Sequence, residues 1–212
     1  MVEFPAYQGR VVHIYNAKGA GMYDREAHEQ ACKAAIKQME VSQNVRVGGK
    51  PYEADDQYIF LNARCSEIVI DALQPLCPLK WDRLADVTMG LGAGFSNMGE
   101  VCGLVVGGII AIGLDLSARY RDTVALRYYT IKFTQKFMRD CAKEFGSLRC
   151  RDLLGHDISG TLIPGDETYA TFIRETMKAR AAGQEGICPR IQRWVLMYPL
   201  PSEQEELHPP LI

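Results

Sequence analysis

Apolar residues recur with helical spacing through most of this chain, from about residue 53 to residue 198. Between residues 58 and 72 they follow one another at intervals of three and four, which places them on one face of a helix. Residues 122–144 carry a second stripe of this kind and predict a long amphipathic helix. Residues 166–182 predict a further helix, and residues 191–198 predict a last apolar segment, helix or strand.

One stretch, residues 101–114, is apolar throughout and is bounded by Glu100 and Asp115. A helix that spans a membrane needs about twenty apolar residues, and this stretch is clearly shorter. We therefore expect a buried core helix here and no membrane span.

The first 52 residues follow a different pattern. Residues 11–15 and 45–47 are short β-rich runs, and the alanine-rich residues 24–39 between them look helical. We expect an N-terminal extension over residues 1–52 that carries a small β-ribbon. A helical domain over residues 53–198 and a polar, proline-rich tail over residues 199–212 follow it. The predicted fold class is mainly α.

The charge and composition of the chain argue against two classes of binding partner. The 212 residues carry a formal net charge of −2, and no basic run with interleaved aromatic residues appears. We therefore expect neither nucleic acid nor an anionic membrane as partner. The chain shows no signal-peptide pattern at its start, so we expect a cytoplasmic protein. In a reducing cytosol the seven cysteines should be free thiols, metal ligands or redox groups rather than structural disulfides.

Four cysteines lie in sequence contexts where a thiolate could be a ligand and not only a buried side chain. Cys65 lies on the apolar face of residues 58–72, and Cys102 opens a run rich in small residues. Cys150 begins a predicted helix after a glycine stop, and Cys188 precedes a proline. Four cysteine thiolates are the common ligand set of iron–sulfur clusters. We therefore interpret the fold as a helical bundle around a four-cysteine centre.

Two sequence features near these cysteines would favour a thiolate or leave space for a cofactor. With Ser147 as the N-cap of its helix, Cys150 would take the third position, where unpaired N–H groups and the helix dipole favour an anion. Gly103 and Gly107 would let another backbone, or a cluster sulfide, approach the helix that Cys102 opens. Plain helix packing would also explain these glycines, and buried cysteines often act as small apolar side chains.

At these residues the chain resembles the C-GCAxxG-C-C family of redox-active proteins, over about residues 58–188. The four family cysteines match Cys65, Cys102, Cys150 and Cys188, and the two motif glycines match Gly103 and Gly107. The third cysteine lies in the Phe-Gly-Ser-x-x-Cys run of this family, here residues 145–150. Leu104 stands where the motif has alanine, which is the one departure.

The resemblance implies a mostly helical domain whose four cysteines hold a redox metal centre, with Gly103 and Gly107 beside the cofactor. Split-Soret-type cytochromes look like relatives, and on that likeness we prefer a 2Fe–2S cluster to a 4Fe–4S cluster. The sequence has no Cys-x-x-Cys-His, so covalent c-type haem is excluded, and non-covalent haem is a weaker alternative. We expect a redox partner protein and a homodimer.

Other candidate sites have less support. His28 and Cys32 are four residues apart on a predicted helix face, a spacing that suits a metal pair, but no third ligand is identifiable. His156 is a candidate replacement ligand because it follows Cys150 closely. The glycine-rich residues 90–94 lack the G-x-G-x-x-G spacing of dinucleotide-binding proteins.

The remaining cysteines, Cys77 and Cys141, lie outside the family pattern, and we expect both to be structural. For the function we expect electron transfer. A thiol–disulfide oxidoreductase that uses the same four cysteines is an alternative, although the sequence offers no Cys-x-x-Cys. A non-enzymatic accessory protein that binds metal or haem is another. The sequence identifies no catalytic residue.

Overall fold

The computed structural model describes residues 65–77, 81, 83–155, 157–158 and 186–201, together with positions 26, 30, 33, 46–47 and 50–51. Its helices are α1 (Cys65–Leu73), α2 (Leu84–Val87), α3 (Gly92–Phe95), α4 (Gly103–Ser117), α5 (Thr123–Phe145), α6 (Cys150–Leu154) and α7 (Ile187–Met197). Two 3₁₀ turns span Gln74–Leu76 and Met89–Leu91. Two-residue strands, β1 (Arg46–Val47) and β2 (Lys50–Pro51), pair antiparallel. The prediction of a mainly helical fold is confirmed.

Several predicted features fall on other parts of the chain. The strand at residues 11–15, the helix at residues 166–182 and most of the helix at residues 24–39 lie outside the described residues. The same holds for three candidate ligands: His28, Cys32 and His156.

Helices α1 and α4 run in the same direction, as two glycines of α4 show. A Cβ added to Gly103 would lie 2.9 Å from the Cβ of Cys65. A Cβ added to Gly107, one turn later, would lie 2.7 Å from the Cβ of Val69, also one turn later. The two helices are therefore parallel, and Cys65 lies beside the N-terminal end of α4.

Helix α7 is parallel to the same pair. Near the N-terminal ends, Cys188 of α7 lies close enough to Cys102 for their charges to interact. Further along, a Cβ added to Gly108 of α4 would lie 3.1 Å from Cγ1 of Val195. Because the contacts follow the same order along both helices, the N-terminal ends of α4 and α7 meet at one end of the bundle, beside Cys65 of α1.

Helix α5 brings the chain back to that end. The ring centroid of Phe137 lies 5.0 Å from that of Tyr198, whereas Phe145, two turns later, lies 5.8 Å from Trp194, one turn earlier. Helix α5 is therefore antiparallel to α7. Gly146 stops it with a left-handed φ of 84°, as predicted. The chain then leads directly into Cys150.

The predicted apolar stripe of α5 forms its contact with the core. Four stripe residues are buried: Tyr129, Phe133, Phe137 and Cys141. Cys77 is also buried, and its thiol donates to the carbonyl of Leu73 at 3.3 Å. Among the described residues, no helix is long and apolar enough to cross a membrane.

The helix that carries Cys150 begins later than predicted. The prediction that Ser147 caps it is wrong, because the N-cap is Arg149 and Cys150 is the first helical residue rather than the third. An antiparallel bridge to Val101 keeps Arg149 extended, with φ −84° and ψ 132°. The Ser147 hydroxyl instead accepts from the N–H of Arg149 at 3.0 Å and donates to Asp152 at 2.8 Å.

The contact between α1 and α4 makes a testable prediction for two glycines of one helix. Gly107→Ala should lower the free energy of unfolding by about 1–3 kcal/mol, because its methyl group overpacks Val69. Gly113→Ala is the matched control, since nothing lies within 4 Å of an added Cβ there, and it should gain up to about 1 kcal/mol. Urea unfolding followed by circular dichroism measures both. Equal effects would contradict the assigned helix contact.

Candidate metal centre

The four predicted cysteines converge at the N-terminal end of the bundle. Burial raises the pKa of the Cys102 thiol well above its usual value, and the neighbouring Cys65, Cys188 and Cys150 raise it further. Cys65 acts in the same way on Cys150. Cys102 is 4% exposed and Cys150 is 7% exposed, whereas Cys188 is exposed. The structure thus brings together thiols that are far apart along the chain.

Three of these cysteines lie at the start of a helix. Cys102 is the N-cap of α4, Cys150 is the first residue of α6 and Cys188 is the second residue of α7, and Cys65 is the first residue of α1 that the structure describes. Helix N-termini present unpaired N–H groups and a partial positive charge. The arrangement therefore favours a bound anionic group over a bound cation alone.

The helix start at Cys188 was not predicted, although its signals are present in the sequence. Gly186 is the N-cap of α7, and Pro189 lies in the first turn. Proline is well tolerated there because the N–H that it lacks would have no helical partner. Together, a glycine N-cap and a proline in the first turn are the signal that would have predicted a helix start at this cysteine.

A left-handed turn lies against the thiols. Residues 93–97 all have positive φ, with values of 50°, 71°, 62°, 52° and 64°, so most of the short segment α3 belongs to this turn and is not a right-handed helix. Only one of these residues, Gly94, is a glycine. A left-handed conformation costs an L-residue roughly 1–2 kcal/mol, so neighbouring contacts must hold this turn in place. The sequence does not predict this turn, because alanine and phenylalanine give no signal for such a conformation.

The inner side of this turn contacts two of the cysteines. Burial raises the pKa of the Cys65 thiol, and the backbone N–H of Ala93, which points at its sulfur, partly offsets that rise. At the next residue, a Cβ added to Gly94 would lie 2.8 Å from the Cβ of Cys150 and 2.5 Å from the backbone nitrogen of Glu100. The turn thus passes between Cys65 and Cys150 with no space for a side chain.

Arg151, next to Cys150, holds the segment that follows this turn. Its guanidinium donates to the carbonyl of Met98 at 2.6 Å and to the carbonyl of Gly99 at 3.2 Å. It also pairs with the carboxylate of Glu100 at 2.6 Å. Since Cys150 and Arg151 are consecutive, one short segment places a thiol and fixes the turn beside it.

The helix start is predicted to favour a thiolate at Cys150, and burial acts in the opposite direction. Burial, followed by the neighbouring Cys65, raises the pKa of the Cys150 thiol to about 12. A bound metal ion would lower it again, because a coordinating thiol gives up its proton to the cation.

The two motif glycines have different neighbours. Gly103 lies against Cys65. A Cβ added to Gly103 would lie 2.6 Å from the carbonyl oxygen of Leu91. Gly107 lies against Val69, one turn further from the thiols, where close helix packing accounts for it. A role for either glycine at a cofactor stays a prediction. Within the described ranges, no group of three or more His, Cys, Asp or Glu side chains is arranged to hold a metal ion.

A comparison with family models supports the resemblance seen in the sequence. The model described as "Putative redox-active protein (C_GCAxxG_C_C)" matches residues 63–196. The match covers more than half of the chain and includes all four converging cysteines, so the protein belongs to this redox-active family. Searches of curated proteins and of solved structures found no match.

The exposure of the thiols predicts their order of alkylation. In the metal-free native protein, iodoacetamide should modify Cys188 at least roughly tenfold faster than Cys102 or Cys150, because the thiolate is the reactive form and burial disfavours it. Peptide mass spectrometry over a time course measures the three rates. In 8 M urea, used as the control, the rates should converge. Equal rates in the native protein would show that the buried thiols are accessible.

The contacts of Arg151 predict a difference between two neighbouring arginines. Arg151→Lys should speed amide hydrogen exchange in residues 93–100 on the order of tenfold, since hydrogen bonds to charged groups contribute about 1.5–3 kcal/mol. Arg149→Lys is the matched control, because Arg149 also pairs with Glu100, at 3.2 Å, while the carbonyls of Met98 and Gly99 are bonded by Arg151. If both variants exchange alike, the guanidinium does not hold the turn.

Proposed function

We propose that this protein transfers electrons and binds one iron–sulfur cluster through Cys65, Cys102, Cys150 and Cys188. One observation carries the proposal: the four cysteines of a redox-active family meet at one end of three parallel helices. Cysteine thiolates are the usual ligands of such clusters, and the chain supplies four of them from four different elements.

The surroundings of the thiols fit an anionic metal–sulfur group. The helix starts supply partial positive charge and backbone N–H groups, which stabilise anions. Two glycines, Gly94 and Gly103, keep side chains away from Cys150 and Cys65, respectively. The donor set is made of sulfur, which is the ligand type that iron–sulfur clusters require.

When bound, the cluster would supply one-electron oxidation and reduction. The residues of the chain would hold it and set its electrostatic surroundings. The backbone N–H groups of Ala93 and Leu104 point at the sulfurs of Cys65 and Cys102, and hydrogen bonds to sulfur tune the reduction potential of such centres. Burial of Cys102 and Cys150 keeps water away from that side of the site.

Two cluster types agree with four cysteine ligands. We propose a 2Fe–2S cluster, and this preference rests on the resemblance to split-Soret-type cytochromes. Iron and acid-labile sulfide in amounts of about two each per chain would support it, and about four each would indicate 4Fe–4S. The redox partner protein, the homodimer and the cytoplasmic location stay predictions.

Thiol–disulfide exchange by the same cysteines is the alternative function. Exchange needs a thiolate nucleophile, whereas burial and the neighbouring Cys65 raise the pKa of Cys150 to about 12. Burial also raises the pKa of Cys102. These thiols are therefore poor nucleophiles but remain good ligands once a cation displaces their protons. An exchange enzyme would be colourless and would lose two thiols on oxidation.

Cysteine substitution tests the proposal directly. Anaerobically purified protein should show visible charge-transfer absorption with matching iron and sulfide, and Cys102→Ser or Cys150→Ser should each remove most of both. Cys141→Ala is the control, because Cys141 lies in the hydrophobic core on α5 and should keep full iron. A wild-type protein that stays iron-free after anaerobic reconstitution would rule out the cluster. Full iron in both serine variants would rule out these ligands.

A further inference from the structure

Three residues of α7, beginning with Cys188, form a stripe that runs from the thiols toward the hydrophobic core. Cys188, Gln192 and Val195 are spaced by four and three, which places them on one helix face. Cys188 lies near Cys102, and Val195 contacts Gly108 of α4. Gln192 therefore lies between the thiol centre and the hydrophobic core.

Gln192 is an unusual side chain for this position. It is 1% exposed, and its neighbours along α7 include the buried apolar residues Ile191, Val195 and Leu196. In the part of the chain that the structure describes, its amide nitrogen Nε2 has no hydrogen-bond partner. A buried donor without a partner costs about 1–3 kcal/mol. Such a group in a folded protein calls for an explanation, for example a bound group that supplies the acceptor.

The helix geometry directs this amide toward the thiols. Gln192 lies one turn after Cys188, about 6 Å along the helix axis. Side chains on a helix lean toward its N-terminus, so residue i+4 covers the turn that carries residue i. The N-terminal end of α7 is the end at which the four cysteines meet. The long glutamine side chain can therefore span most of the distance from its backbone to the thiol layer.

We propose that the side-chain amide of Gln192 donates a hydrogen bond to a sulfur of the metal–sulfur centre held by the four cysteines. This inference rests on the proposed function and adds a residue outside the cysteine pattern. The bond would supply the acceptor that Nε2 lacks in the described part of the chain. A neutral donor stabilises the more negative, reduced state of the centre and therefore raises its reduction potential.

Two substitutions on one helix turn test this role. Gln192→Met keeps the length of the side chain and removes the donor. Ile191→Met is the matched control, since Ile191 is equally buried on the same turn of α7 and carries no hydrogen-bond donor. Both variants are prepared metal-free and after anaerobic reconstitution with ferrous iron and sulfide. Thermal unfolding is measured on the metal-free protein, and potentiometric titration and the rate of cluster loss are measured on the reconstituted protein.

The expected effects of Gln192→Met have opposite signs in the two forms. The metal-free variant should unfold at the same or a higher temperature than the wild type, because an unpaired buried donor is gone. The reconstituted variant should show a lower midpoint potential and lose its cluster several-fold faster. Gln192→Glu replaces the donor with an anion and should lower the midpoint potential further. This variant takes the place of Gln192→Met if the methionine variant fails to fold.

Three outcomes would overturn the inference. A clear loss of stability in the metal-free Gln192→Met protein would show that the amide already has a protein partner. A potential and a rate of cluster loss equal to those of Ile191→Met would show that the amide does not reach the centre. A wild-type protein that takes up no iron and sulfide would overturn the proposed function itself, and this inference with it.

Discussion

The site depends on the parallel packing of α1, α4 and α7. Parallel helices place their positive ends together, which costs electrostatic energy unless something negative lies there. Close approach adds a steric condition, since added Cβ atoms at Gly103, Gly107 and Gly108 would collide with neighbouring side chains. Glycine at these positions is therefore a condition for the bundle. The thiols at its N-terminal end are the groups that can become negative when a metal binds.

Desolvation and charge oppose each other at this end of the bundle. Without metal, burial dominates, and the pKa values of Cys102 and Cys150 are raised. With a cation, the same buried surroundings strengthen each thiolate–metal contact, because the local dielectric constant is low. The buried position of the thiols therefore agrees better with the proposed metal ligation than with exchange between free thiols. This distinction follows from the position of the thiols and not from their number.

Much of the helical bundle could be predicted from the sequence, because its signals are local. The stripe of α5, its stop at Gly146 and the buried run of α4 follow from periodicity and from single residues. The cysteine quartet was found through the family pattern and not through spacing. The start of α6 was placed wrongly because a bridge between Val101 and Arg149, distant in sequence, decides it. Contacts between residues so distant in sequence produce no periodic pattern in the sequence. The left-handed turn at residues 93–97 depends on such contacts too.

The distribution of the four cysteines along the chain also has a consequence for biosynthesis. Cys65 lies on α1 and Cys188 on α7, so the four cysteines are all present only after α7 has been synthesised. A nascent chain without α7 offers at most three of the four thiols, and it lacks one of the three parallel helices. Loading of the proposed metal centre through all four cysteines would therefore follow the synthesis of α7. Until then, a cell would hold a folding intermediate whose cysteines are open to oxidation.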